Sequence, residues 1–321
     1  MSATNVQMRS FSLFFVTFAT VLAAAGSAQA SQLIDRNASN VHLGVDNQGR
    51  ALLSYRAHGK TRSVLAWGAV DARQPDSPNV PQVDFKLDYS GKGAAGFRNT
   101  CGRYDGPALA WAVTACKAKD GTYWAVQRWQ RMLPNAGYKP WKASQTVQEL
   151  RLSHWTASGG LALFDVHVDW VYGGRFHDLF GRVTYQGQPV HGFKTTKWGV
   201  PLDSYGRNLY LDTLNSAYGT GWHRENSFVA HNPSGMFCYG FYPYGTYPGY
   251  PAQRSVKLVG AGKKYRITMI GPGVSPDVMW AGDGLQDFDA KNTALTDWER
   301  QMNAKLDEMR AAYGEKSCGQ H

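Results

Sequence analysis

The chain has 321 residues, 43% of them hydrophobic and 18% charged, with a formal net charge of +10. That is enough apolar chain to bury a sizeable core in one large β domain or two modest ones, without help from a metal. It carries no low-complexity tract, no internal repeat and no run of five or more basic residues, so the positive excess bears on partners and solubility, not on fold.

Arg9 is the first charged side chain, and none follows until Asp35. After Arg9 comes the apolar run from Phe11 to Ala25, then Gly26-Ser-Ala-Gln-Ala30. A basic start, an apolar core and a small-x-small end predict a signal peptide over 1–30, cleaved before Ser31. The rival reading, a membrane anchor, fits less well because Ser27, Gln29, Ser31 and Gln32 are poor lipid-facing residues. No later stretch is apolar for long enough to span a bilayer, so no stable membrane span is expected after cleavage. The expected location is secreted, extracellular or periplasmic. The polyanions met there are acidic polysaccharide, envelope polymer and lipid surfaces, not nucleic acid.

The remainder reads as strand after strand, and residues 31–321 are taken as a single β-rich domain. Val41, Leu43 and Val45 alternate up to Asp46-Asn-Gln-Gly49, and Ala51, Leu53 and Tyr55 alternate on the way back. Val64–Trp67 completes a three-stranded meander, and the prolines at 75, 78 and 81 mark a loop. Further strand-like runs are 82–89, 108–115, 122–132, 147–155, 161–172, 179–185, 189–195, 225–231, 236–242, 254–259 and 264–270. Near the C-terminus, Leu295, Trp298, Met302, Leu306, Met309 and Tyr313 form one apolar stripe at helical spacing, which predicts a helix over about 293–313. Thr296-x-x-Glu299 reads as its capping box. The expected fold is mainly β: an antiparallel two-sheet sandwich or jelly roll with one C-terminal amphipathic helix.

The four cysteines, Cys101, Cys116, Cys238 and Cys318, allow three pairings in an oxidising compartment. Cys101 with Cys116 would close a loop of about fifteen residues, and Cys238 with Cys318 would pin the C-terminal tail. No C-x-x-C is present, which removes the starting feature of zinc-ribbon and thioredoxin-type readings.

The sharpest candidate site is Asp165-Val-His-Val-Asp169. On a strand, Asp165, His167 and Asp169 share one face while Phe164, Val166, Val168 and Trp170 share the other. Neighbouring carboxylates push their pKa values apart, which suits acid/base work, and imidazole with carboxylates also suits a metal ion. The row is similar in geometry to the alternating Glu-x-Asp-x-Glu of β-jelly-roll glycosidases. Here both outer residues are Asp and the middle one is His, and nothing else in the chain matches those enzymes. The bland alternative is the solvated face of an antiparallel strand. Arg175 and His177 follow the Gly173-Gly174 turn, and His223, Arg224, Glu225 and Asn226 form a second polar group; either would make a cleft if folded onto the 165–169 face.

Tyr242, Tyr244, Tyr247 and Tyr250 sit in a Gly/Pro-rich loop and offer flat apolar faces with a hydroxyl, suited to sugar rings or a protein partner. Gly91-Lys-Gly-Ala-Ala-Gly96 matches the dinucleotide-binding fingerprint by letter, but no βαβ pattern surrounds it. No cofactor is expected beyond the metal ion that Asp165, His167 and Asp169 would suit. The leading functional expectation is non-catalytic binding of polysaccharide or another envelope polymer. The alternatives are a secreted glycoside hydrolase or lyase using the polar strand face, and a structural or interaction protein of the envelope.

Overall fold

The structure, a computed structural model, describes residues 31–72, 83–131, 147–171, 176–190, 209–216, 219–224, 230–231, 235–241, 264–282 and 291–313. In the first half the strands are β1 (Gln32–Arg36), β2 (Ser39–Val45), β3 (Ala51–Ala57), β4 (Lys60–Trp67), β5 (Lys86–Asp88), β6 (Gly102–Arg103), β7 (Ala112–Lys117), β8 (Tyr123–Trp129) and β9 (Glu149–Trp155). In the second half they are β10 (Leu163–Val171), β11 (Phe176–Tyr185), β12 (Gln188–Pro189), β13 (Leu209–Ser216), β14 (Gly219–Arg224), β15 (Ala230–His231), β16 (Met236–Phe241), β17 (Lys264–Met269) and β18 (Val278–Gly282). Among the described residues one α-helix, α1 (Thr293–Tyr313), follows and packs against β10.

The early meander forms for the reason its sequence suggests. Val45, Ala51, Leu53, Tyr55, Val64 and Ala66 are buried in one core, while residues between them, such as Arg56 and Arg62, face out. The β3–β4 hairpin turns on His58-Gly59, both at positive φ (52° and 75°), a two-residue turn whose twist matches the strands. At the β2–β3 turn, the Asp46 carboxylate accepts the main-chain N–H of Gln48 and Arg50 at 2.9 and 3.0 Å.

Among the described residues the ladders divide into four antiparallel sheets. An outer N-terminal sheet (β2-β3-β4-β5) lies against an inner N-terminal sheet (β1-β9-β8-β7-β6), with Ile34, Trp124, Val126, Leu150 and Leu152 of the inner sheet completing the shared core. In the second half, an inner C-terminal sheet (β14-β13-β17-β18) shares a core with an outer one (β10-β11-β16-β15, with β12 paired to β11). Leu209, Leu211, Tyr265 and Ile267 come from the inner sheet, and Leu179, Val183 and Phe237 from the outer.

The two inner sheets then meet through their second faces. Every residue of β9 is buried. Leu150 and Leu152 face the N-terminal core, so Glu149, Arg151 and Ser153 point the other way, toward the second half. The β17–β18 connection runs along this junction, and Ser153 donates to the Ser275 carbonyl at 3.2 Å. A Cβ on Gly271 would come within 2.2 Å of the Pro276 carbonyl oxygen, so the bend there has room only for glycine.

Several sequence expectations shift. The 189–195 run is a strand only at Gln188–Pro189, with 191–195 outside the described residues. The 225–231 run is described only at Ala230–His231, and 254–259 lies wholly outside. β13, β14 and β18, three of the four strands of the inner C-terminal sheet, were not predicted. The helix begins at Thr293, with Asn292 supplying the first intrahelical carbonyl at 3.1 Å to Thr296 N–H. Thr296 therefore sits inside the first turn and is no N-cap; its hydroxyl donates back to the Thr293 carbonyl at 3.0 Å. Among the described residues no helix is long and apolar enough to cross a membrane.

Cys101 and Cys116 form a disulfide, with their Cα atoms 5.7 Å apart. Residue 318 lies outside the described residues, and with it the Cys238–Cys318 pairing. Replacing both Cys101 and Cys116 by Ser should cost about 3 kcal/mol through the released loop, read as a lower urea midpoint of the non-reduced chain.

A titratable imidazole is packed against the N-terminal core. His154 stacks on Trp124 with ring centroids 3.8 Å apart; its Nδ1–H donates to the Gly68 carbonyl at 3.1 Å, and Nε2 lies 3.0 Å from the Thr122 hydroxyl. Burial lowers its pKa, against the opposing pull of the Gly68 hydrogen bond, Asp120 and Asp71. The unfolded chain therefore holds this proton at pH values where the folded chain has released it. Stability is complete above the ordinary imidazole pKa of 6.5 and falls as pH drops below it toward the folded value. The Tm should decrease between pH 7.5 and 5.5, and His154→Gln should flatten that slope.

Candidate functional site

Asp165, His167 and Asp169 all lie on β10, and the surroundings of the first two are described. Phe164 and Val166 pack onto the C-terminal core, which leaves Asp165 and His167 on the opposite face, as alternation requires. Asp165 is 63% exposed and His167 only 15%, with His167 Nε2 at 3.0 Å from Asp165 Oδ1. The His167 ring stacks on its cross-strand partner Phe180 at 5.1 Å. In the ladder Asp165 stands opposite Arg182, Asp169 opposite Asp178, and His177 opposite Trp170. Arg175 and the tyrosines 242, 244, 247 and 250 lie outside the described residues. Among the described residues, no group of three or more His, Cys, Asp or Glu side chains is placed to hold a metal ion.

The densest polar chemistry lies instead at the seam between the two inner sheets. Asp277, wholly buried, is its hub. Its carboxylate accepts from Trp129 Nε1 at 2.7 Å, Gly271 N–H at 2.9 Å and the Ser31 hydroxyl at 3.1 Å, and Arg131 lies 4.0 Å away. Its main-chain N–H and carbonyl both bond the Gln127 side chain, at 2.7 and 2.8 Å. Beside it, Arg151 donates to Glu149 through Nε at 3.1 Å and to the Ser31 carbonyl at 2.9 Å. Burial alone would raise the Glu149 carboxyl, but Arg151 and Arg131 hold it below the ordinary carboxylate range. Burial and Arg131 bring Arg151 down to about 10 in spite of Glu149, so it stays cationic at neutral pH.

A second buried group extends the seam. Asp212 on β13 accepts from Arg224 Nε and Arg266 Nε, each at 3.1 Å. Arg224 lies over the Tyr210 ring at 4.5 Å and donates to the Gln130 carbonyl, while Arg266 lies between Trp111 and Trp222 at 4.5 and 4.4 Å. Of the second polar group picked out in the sequence, Arg224 thus belongs to the seam and not to the β10 face, and Glu225 and Asn226 lie outside the described residues.

Where this seam reaches the surface it opens into a cleft of about 440 Å³. Pro107 and Ala108 line one side, Leu161, Leu163 and Phe164 another, and Met279 and Trp280 a third; Asp277 closes it from within. Leu163 is 68% and Met279 39% exposed, an uncommon state for large apolar side chains on one small area. Neither Asp165 nor His167 lines this cleft.

Sequence reasoning missed Asp277, Gln127, Trp129 and the cleft, because they lie on elements far apart in the chain and match no local motif. Asp277 follows Pro276 and reads as an ordinary turn acid; the only available signal was Trp and Arg set close together around residues 128–131. Comparison with known proteins finds no matching family model, no matching curated protein and no matching solved structure.

Asp277→Ala should destabilise the fold by about 3–5 kcal/mol, since it strips a buried network of its acceptor. Asp165→Ala, at an exposed position, should stay within about 0.5 kcal/mol of the parent. Urea denaturation of the two variants reads the contrast.

Proposed function

We propose that this is an exported, non-catalytic binding protein that holds a polysaccharide or another polymer of the cell envelope, in a body of two sandwich-like sheet pairs. The observation that carries the reading is the cleft at the seam: concave, walled by Leu163, Phe164, Met279 and Trp280, and bounded by sheets that share buried cores. Rigid walls lower the ordering cost of capture. The acid inside the cleft supports binding over chemistry. Asp277 already accepts three hydrogen bonds, so using it as a general base would mean dismantling the seam. The net positive charge adds attraction toward an anionic polymer. The signal peptide, secretion and the tyrosine loop belong to the same proposal.

A second reading keeps the β10 face as the site of a secreted hydrolase or lyase. The 3.0 Å approach of His167 to Asp165 favours it, since a carboxylate at that distance orients an imidazole. A metal ion bound by Asp165, His167 and Asp169 belongs to this reading.

Immobilised 31–321 chain should retain anionic envelope polymers saturably, and the retention should weaken between 50 mM and 500 mM salt. A flat response across neutral and acidic glycans and lipopolymers would remove the proposal. Turnover of any such polymer that disappears in both Asp165→Ala and Asp169→Ala would transfer the function to the β10 face.

A further inference from the structure

Resting on the reading of the seam cleft as a binding site, we infer that the part of the ligand that enters it is a hydrocarbon chain, the acyl tail of an anionic envelope amphiphile, and not a sugar ring. The argument is an account of polar atoms. Among the described lining residues the polar side-chain groups are the Asp277 carboxylate and the single indole N–H of Trp280; the others are apolar. Asp277 has its carboxylate, N–H and carbonyl all engaged within the seam. The Pro107 carbonyl accepts from the Tyr104 hydroxyl at 2.6 Å, and the Ala110 carbonyl from Gln127 at 2.6 Å. Val278, Met279 and Trp280 stand in register with Met269, Thr268 and Ile267 of β17.

A sugar ring brings several hydroxyls, and each one buried without a partner opposes binding. A methylene chain brings none and gains from every carbon it removes from water. The exposed Leu163 and Met279 set the direction of the occupant. Apolar walls that continue out to the surface suit a tail that enters from solvent and leaves its polar end outside. The chain's positive charge favours an anionic end there.

The test uses the 31–321 chain with octanoate, decanoate and dodecanoate below their micelle concentrations, and lipoteichoic acid beside its alkali-deacylated form, all by calorimetry. The fatty acids should bind one per chain and tighten about fourfold per added methylene. The double variant Leu163→Asp, Met279→Asp should lose at least tenfold; both positions are exposed, and an unchanged Tm certifies its fold. Lipoteichoic acid should bind and its deacylated form should not. Chain-length independence, or equal binding by the double variant, overturns the inference. If the deacylated polymer binds as well as the acylated one, the inference falls while the polymer-binding function stands. If the fatty acids bind in the cleft and neither polymer does, the acyl site stands and the polymer-binding function falls. A dimer in sedimentation that the double variant abolishes would make the occupant a second copy of this chain, and overturns the inference as well.

Discussion

A single buried carboxylate organises this molecule. Asp277 sits with no solvent contact where the residue preceding the first strand, the inner N-terminal sheet and the β17–β18 connection meet. A bare carboxylate in such a place is costly, so the surroundings must supply donors. Two come from distant parts of the chain, Ser31 and Trp129, and the third, Gly271, from the same β17–β18 connection. The requirement works as a register device. The two halves can close only in the arrangement that brings these donors together, because an apolar seam of the same shape would tolerate sliding and this one does not.

The rest of the seam follows the same logic on a larger scale. Arginines 131, 151, 224 and 266 are drawn into a layer between sheets, where aromatic rings take up the planar faces of Arg131, Arg224 and Arg266, and Glu149, Asp212 and Asp277 take up the guanidinium edges. Arginine suits this layer better than lysine because its fork bonds several acceptors while its face stacks. The protein thus joins apolar cores, one within each sheet pair, through a polar sheet-to-sheet junction. Specificity of docking comes from the junction, and the bulk of the burial comes from the cores.

The cleft is a by-product of that geometry which became the most distinctive surface of the molecule. Two sheet pairs joined back to back leave a notch where β10 and β18 run past the loop before β7. The network that closes the notch from within has already engaged the Asp277 carboxylate, so the side chains left to meet a ligand are hydrocarbon and the Trp280 indole. The pair Asp165–His167 on the far side of β10 is of a different kind: Asp165 is exposed, while His167 is largely covered and stacked on Phe180, with α1 packed against the same strand.

Much of the β character was readable from the chain. Alternation at Ala51, Leu53 and Tyr55 marks a strand with one wet face, and the apolar stripe from Leu295 marks the segment that is helical, because both patterns need only local periodicity. The Cys101–Cys116 pairing was legible for the same reason, since its partners are near in sequence. The inner C-terminal sheet was not. Its β13 places Leu209 and Leu211 toward the core and Tyr210 and Asp212 on the other side, so a strand buried on both faces loses the alternation that identifies it. The sequence by itself determined the strand-rich class and the sidedness of β10. Only the tertiary structure decided that Asp277 is a hub and that a cleft opens beside it, because burial and partnership of a charge depend on residues hundreds of positions away and leave no trace in local pattern.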